Sequence, residues 1–239
     1  MGSPAAGAGI MSHRKRVLLS ARRSVRKARS AVERIPDEIM GVSGSEAALA
    51  GRMGSKRIEG VVWHRSSGWW MLWHTFRSEL GADSGAFLDL GCGAGRSLVL
   101  AARFPVTRVI GVEFEPTVAE LARRNVERAR WTRGRSIEVV ETDVSEYPVP
   151  TDVGVVYMFN PFWGDVMQAA MQRVIESYDE NPRPLKIVYT FPSAESVLLE
   201  TGRIVPVRRH RRRRPMRRWA AMQSTTVYEV VPAPAGAAG

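Results

Sequence analysis

The residues best placed to do chemistry form one short run, Asp89-Leu90-Gly91-Cys92-Gly93-Ala94-Gly95. Three glycines at alternate positions let the backbone bend sharply and let a ligand approach it closely. The apolar stretch Ala86–Leu90 before the run reads as a buried strand, and Ser97–Ala102 after it reads as a helix. A strand, a glycine turn and a helix start in that order suit a ligand held by backbone N–H groups. A dinucleotide fingerprint, G-x-G-x-x-G, would place its third glycine at position 96. That position is Arg96 and the glycine falls at Gly95, so the pattern is D-x-G-x-G-x-G.

The elements that must position this turn follow from the apolar periodicity around it. Strands are predicted at 86–90, 107–112, 136–141, 152–159 and 185–190, with helices near 94–103, 116–130, 164–179 and 193–200. Such alternation predicts a parallel sheet covered by helices on both faces. Two last strands, 203–209 and 224–231, flank a run of arginines and read as an antiparallel hairpin that closes the sheet. Upstream, a helix is expected at about 68–80, and another at about 14–35 that Pro36 ends. Residues 37–60, rich in Gly, Ser and Ala, read as a connector with a short helix around 46–53. The chain therefore divides into a basic, partly disordered extension with a helix (1–60), a folded domain (61–231) and a disordered Pro/Ala/Gly tail (232–239).

At 239 residues the chain can bury a full core. Its net charge of +11 is concentrated in two places. His13–Arg29 and Arg208–Arg218 each hold eight Lys or Arg and no acid, and without those sixteen charges the rest sums to −5. Both segments could grip phosphates or an acidic partner, or simply be solvated. No apolar run reaches the roughly 20 residues a membrane helix needs, and the first residues do not form a secretory signal. Met11 is a possible alternative start to Met1. Cys92 is the one cysteine, so no disulfide forms within the chain and a cytoplasmic location is expected. The four histidines are scattered, and no metal site is expected.

The run Asp89–Gly95 resembles motif I of class I S-adenosylmethionine-dependent methyltransferases. The resemblance spans roughly 84–165 and implies a Rossmann-like class I methyltransferase fold: a mostly parallel seven-stranded sheet, helices on both faces and a C-terminal antiparallel hairpin. It implies that Gly91, Cys92, Gly93 and Gly95 wrap the methionine part of S-adenosyl-L-methionine and that Asp89 helps hold its amino group. Glu113 ends the second strand about 20 residues beyond the turn, where an acid takes both ribose hydroxyls. Asp143 would accept from the adenine amino group with Val144 backbone nearby, and Phe114 would lie against the adenine face.

The fourth strand runs into Asn160-Pro161-Phe162-Trp163. Amino-group methyltransferases of the family carry an Asn/Asp-Pro-Pro-aromatic motif there, in which the Asn oxygen accepts from the target NH2. The second proline is missing here, and the short Asn-Pro-Phe form resembles that of small bacterial methyltransferases. Asn160, Pro161 and Phe162 are therefore the substrate-positioning candidates. The other reading is that Pro161 stops the strand while Phe162 and Trp163 pack in the core. Trp63, Trp69, Trp70, Trp73 and Phe76 precede the core strands; either Trp69, Trp70 or His74 is part of a lid over the site, or the segment is a helix packing its large side chains on the sheet.

The expected function is methyl transfer to an acceptor the sequence does not identify: a protein, an RNA or a small molecule. The alternative is a nucleic-acid-binding protein built on a degenerate methyltransferase-like domain.

Overall fold

The computed structural model describes residues 37, 40–42, 68–132, 134–210 and 224–234. The expected helices at 14–35 and 46–53, the whole basic segment His13–Arg29, Trp63, Arg211–Arg218 and the end of the tail lie outside the described residues.

The described chain begins with helix α1 (Trp69–Glu79), which buries Trp69, Leu72, Thr75, Phe76 and Glu79 on one face. That spacing is the helical stripe expected of an element packed on a core. Strand β1 (Ala86–Leu90) follows and is buried throughout. Then come α2 (Arg96–Ala101), β2 (Val109–Glu113) and α3 (Pro116–Arg128), the last with proline in its first turn, where no N–H is missed. The second half holds β3 (Ile137–Glu141), β4 (Val153–Phe159), α4 (Gly164–Glu180), β5 (Lys186–Thr190), α5 (Glu195–Glu200), β6 (Ile204–His210) and β7 (Thr225–Val230).

The seven strands form one sheet in the order β3-β2-β1-β4-β5-β7-β6. β3, β2, β1, β4 and β5 pair in parallel, and β7 is antiparallel to both β5 and β6. β1 and β4 sit centrally, which is why they read as unbroken apolar runs, while the edge strand β3 is half-exposed. The second strand begins two residues later than its apolar pattern suggests and ends one later, taking Glu113 into the ladder. Arg108 is instead a connector residue that clamps Asp152 with two hydrogen bonds of 2.9 and 2.7 Å.

Strand alternation divides the core in two. Leu88, Leu90, Val156 and Met158 face α4 and α5 through Met167, Met171, Val174 and Leu198. Phe87, Val155, Tyr157 and Val188 face the other way, onto Trp69, Leu72, Phe76, Leu98 and Ala122. Phe76 stands edge-on to Phe87 and Tyr157 at centroid distances of 5.1 and 5.2 Å. Asp89 lies between Leu88 and Leu90, so it points to the α2 side.

The aromatic patch before β1 is thus mostly packing. Trp69 is buried and donates its indole N–H to Asp37 Oδ1 at 2.7 Å. Trp73 rests on Phe104, and Trp70, 62% exposed, stands edge-on to the exposed His74.

One row of the sheet runs Phe159–Thr190–Thr225–His210 across β4, β5, β7 and β6. The start of the arginine run therefore leaves the sheet at the edge where the parallel strands end, three strands or roughly 14 Å from Phe159. Its first residues are tied into the fold. Glu79 Oε1 accepts from Arg208 at 2.9 Å and bonds His210 Nε2 at 2.7 Å, and Arg209 reaches Glu195 at 2.7 Å. Burial alone would raise the Glu79 carboxyl, but His210, Ser78 and Arg208 outweigh it and hold it below the usual range.

Candidate functional site

The site is built where β1, β2, β3 and β4 end. Gly91, Gly93 and Gly95 all take positive φ, at 82°, 56° and 80°. Only glycine adopts that backbone without strain, which is why three are spent in five residues. The turn is fastened by its own backbone. The N–H groups of Gly91 and Cys92 both donate to Val112 O at 2.9 Å, and Gly95 N–H donates to Cys92 O at 3.0 Å. Asn125, fully buried on α3, holds the turn from behind by donating Nδ2–H to Ala94 O at 2.9 Å.

Glu113 is brought directly to this turn. Its Oε2 accepts from Gly93 N–H at 2.9 Å and its Oε1 from Glu115 N–H at 3.1 Å. Each carboxylate oxygen accepts two hydrogen bonds, so each keeps one place open. Glu113 pairs with Glu141 on β3, and Asp143 lies two residues past that pair. Asp143 Oδ1 accepts from the backbone and hydroxyl of Ser145 at 2.8 and 2.7 Å, which fixes the carboxylate at the end of β3. Phe114, beside Glu113, keeps 45% of its surface exposed, and its ring is open to stacking.

Asp89 sits deeper, only 2% exposed. Ser97, the second residue of α2, donates its hydroxyl to Oδ2. Oδ1 has no hydrogen-bond partner among the described residues. Burial, with the Glu113 charge adding to it and the Ser97 bond opposing it, pushes the Asp89 carboxyl up to about 7. An orphaned acidic oxygen under a glycine turn is a place for a cationic group.

Asn160 and Pro161 follow β4 directly, and Pro161 lies against the turn. A Cβ on Gly91 would lie 2.6 Å from Pro161 Cβ, so the loop after β4 packs straight against the turn. Asn160 is held at φ 42°, and its Oδ1 accepts from the Ser193 hydroxyl and, at 3.4 Å, from Tyr189 OH.

One candidate is placed differently from expectation. Phe162 is 4% exposed and packs in the core with Met167 and Val156, so its ring does not border the site, whereas Trp163 is 45% exposed. The Cys92 side chain is buried, and burial, with the Glu113 and Asp89 charges adding to it, pushes its thiol well up, so it serves as a neutral packing group. The Val144 side chain belongs to the core. Ser97, Asn125, Tyr189 and Ser193 were not singled out from the sequence. Only Ser97, directly after the glycine motif, carried a local signal.

A cleft of about 330 Å3 opens beside Tyr178, Arg183, Lys186 and Glu229, near the start of β5 and the end of β7. It shares no residue with the glycine turn. In sheets of this kind ligands bind at the other edge, beyond the carboxyl ends of the parallel strands. Among the described residues, no three His, Cys, Asp or Glu side chains gather as metal ligands would, and no helix is long and apolar enough to cross a membrane.

Comparison with known proteins bears on this geometry. Residues 87–180 match a family model described as a methyltransferase domain. An RNA methyltransferase from Salinibacter ruber, solved with S-adenosyl-L-homocysteine, superposes with a TM-score of 0.50 at 16% identity, covering 72% of this chain and 97% of that one. A TehB-like SAM-dependent methyltransferase from Corynebacterium glutamicum gives 0.49 at 14% identity, with 78% and 98% covered. The N-methyltransferase NodS from Bradyrhizobium japonicum gives 0.49 at 14%, with 68% and 93% covered. At such identities the structural likeness is one of fold. A search of curated proteins found no match.

Proposed function

Because residues 87–180 match the methyltransferase-domain family and the sheet is that of the class I enzymes, we propose that this chain is an S-adenosylmethionine-dependent methyltransferase. The observation that carries the reading is Glu113, whose carboxylate lies against Gly93 with Asp143 on the neighbouring strand end. In this reading Glu113 takes the ribose hydroxyls, Asp143 the adenine amino group and Phe114 the ring face. The glycine turn floors the methionine part, and the free Oδ1 of Asp89 meets its ammonium. The residues present fit the cofactor, and nothing about them is degenerate, which disfavours a purely nucleic-acid-binding role.

The cofactor supplies an activated methyl group on sulfur. The protein's work is to hold the acceptor in line with that methyl carbon, at about 3 Å, and to exclude water. In this reading Pro161, packed on Gly91, and Asn160 before it border that step. The acceptor lies among proteins, RNAs and small molecules. The arginines at 208–218 and the basic N-terminal segment favour an anionic one, and a single buried thiol fits a reducing, cytoplasmic setting.

Calorimetric titration with S-adenosylmethionine tests the reading. Wild-type protein is expected to bind at micromolar concentrations, and absence of heat at high micromolar cofactor removes it. Glu113→Ala is expected to weaken binding by about 2 kcal/mol, roughly thirtyfold, through loss of charged hydrogen bonds. An unchanged affinity in that variant rejects the ribose assignment. Incubating a cell extract with labelled donor and sorting the label into protein, RNA and small-molecule fractions identifies the acceptor class.

A further inference from the structure

An amide at the methyl-accepting position can face its target in either of two ways. It can present oxygen, which accepts from an NH2 group, or nitrogen, which donates to a lone pair. Here the choice is made by β5 and the loop behind it. Asn160 Oδ1 receives the Ser193 hydroxyl and the Tyr189 phenol. A carbonyl oxygen has two lone pairs, so both places are taken. The Tyr189 oxygen itself accepts from Ala194 N–H at 3.3 Å, which leaves its one hydrogen to be donated. That hydrogen is directed at Asn160 Oδ1 at 3.4 Å. Tyr189 is fully buried, and burial pushes its phenol up, so it stays a donor. The Nδ2 of Asn160 has no partner among the described residues and is not buried. Asn160 and Phe191, at the ends of β4 and β5, both take positive φ, 42° and 54°.

We infer that the methyl acceptor is an anionic oxygen, a carboxylate or a phenolate, which receives the Asn160 Nδ2–H hydrogen bond, and that Tyr189 and Ser193 are the residues positioning that amide. The inference rests on the methyl-transfer reading above. An NH2 target finds the Asn160 oxygen already filled. A protonated amine would also need a base to take its proton before it could attack. An anionic oxygen needs no such base. Its lone pair forms the O–C bond, the C–S pair returns to sulfur, and the sulfonium becomes a neutral thioether. The product is a methyl ester or an aryl methyl ether, and no proton is left over.

The test uses the full chain saturated with S-adenosylhomocysteine, with the Asn160 side-chain amide followed by 1H–15N NMR and assigned from its loss in Asn160→Asp. Asp is tolerated at positive φ and keeps the shape. Benzoate and 4-nitrophenolate, both anionic at pH 8, are the acceptor probes and benzylamine the control. One or both anions are expected to shift the amide at millimolar concentration while benzylamine does not, and which anion does so separates carboxylate from phenolate. Ser193→Ala is expected to weaken the responding anion about fivefold by loosening the amide. Asn160→Asp, in which anion binding is read from the broadening of the probe's own 1H signals, is expected to weaken it at least tenfold. A response to benzylamine, or no response to either anion, overturns the inference. Failure of the wild-type protein to bind S-adenosylhomocysteine removes instead the methyl-transfer reading beneath it.

Discussion

Asp89→Asn is expected to gain about 2–3 kcal/mol of stability on the wild-type protein as the pH rises from 5 to 8. The cause is the buried carboxyl beneath the glycine turn, pushed up to about 7 from an ordinary value of 3.8 by burial first and the Glu113 charge second. The folded protein then binds this proton more tightly than the unfolded chain does. Its contribution to stability is complete below about pH 4, falls as the pH rises, and levels off above about 7, a total of about 4 kcal/mol. Asparagine does not titrate, accepts the same Ser97 bond, and removes that slope. Denaturant melts of both proteins at pH 5, 6, 7 and 8 measure it, and parallel profiles would show that Asp89 is ionised in the fold throughout. The proposed cofactor couples to the same group, because an ammonium at Oδ1 favours the carboxylate. Binding by wild type should therefore strengthen with pH up to about 7 and release a proton at pH 6. Calorimetry in two buffers of different ionisation enthalpy reads the proton directly. Asp89→Asn is expected to be the more stable protein at pH 8 and the poorer binder, as happens where function keeps a strained group in the core.

Gly91→Ala is expected to cost about 2–4 kcal/mol of stability, more than the same change at Gly202. Both glycines have positive φ, 82° and 63°, so both variants carry the left-handed penalty of about 1–2 kcal/mol. They differ in their surroundings. A Cβ at Gly202 meets nothing within 4 Å, whereas one at Gly91 falls 2.6 Å from Pro161 Cβ. The proline ring cannot swing aside as a long side chain would, so the loop carrying Asn160 must move, at an overpacking cost of about 1–3 kcal/mol. Melting temperatures should separate the two variants by several degrees. Equal losses would mean that the turn and the loop after β4 are not in tight contact, and Asn160 would lose its claim to the site.

Much of this was legible in the residues alone because it is local. Strand alternation, helical stripes and the glycine spacing act over a few residues, and they placed all seven strands and the helices between them to within a few positions. The pattern D-x-G-x-G-x-G and the acid ending β2 likewise pointed to where Gly93 and Glu113 meet, since a parallel sheet brings successive strand ends to one edge. What the sequence could not decide depends on register and on partners far along the chain. Pro161 stops β4 whether or not the next ring faces a ligand, and only the packing of α4 on the sheet turned Phe162 inward. The first arginines of the long run are anchored by Glu79, 129 residues away from Arg208, through a pairing no local pattern encodes. The sequence marks Asn160 as a candidate but not the partners of its amide. Its Oδ1 is met by Tyr189 of β5 and by Ser193 of the loop after it, partners about 30 residues away that no local pattern encodes.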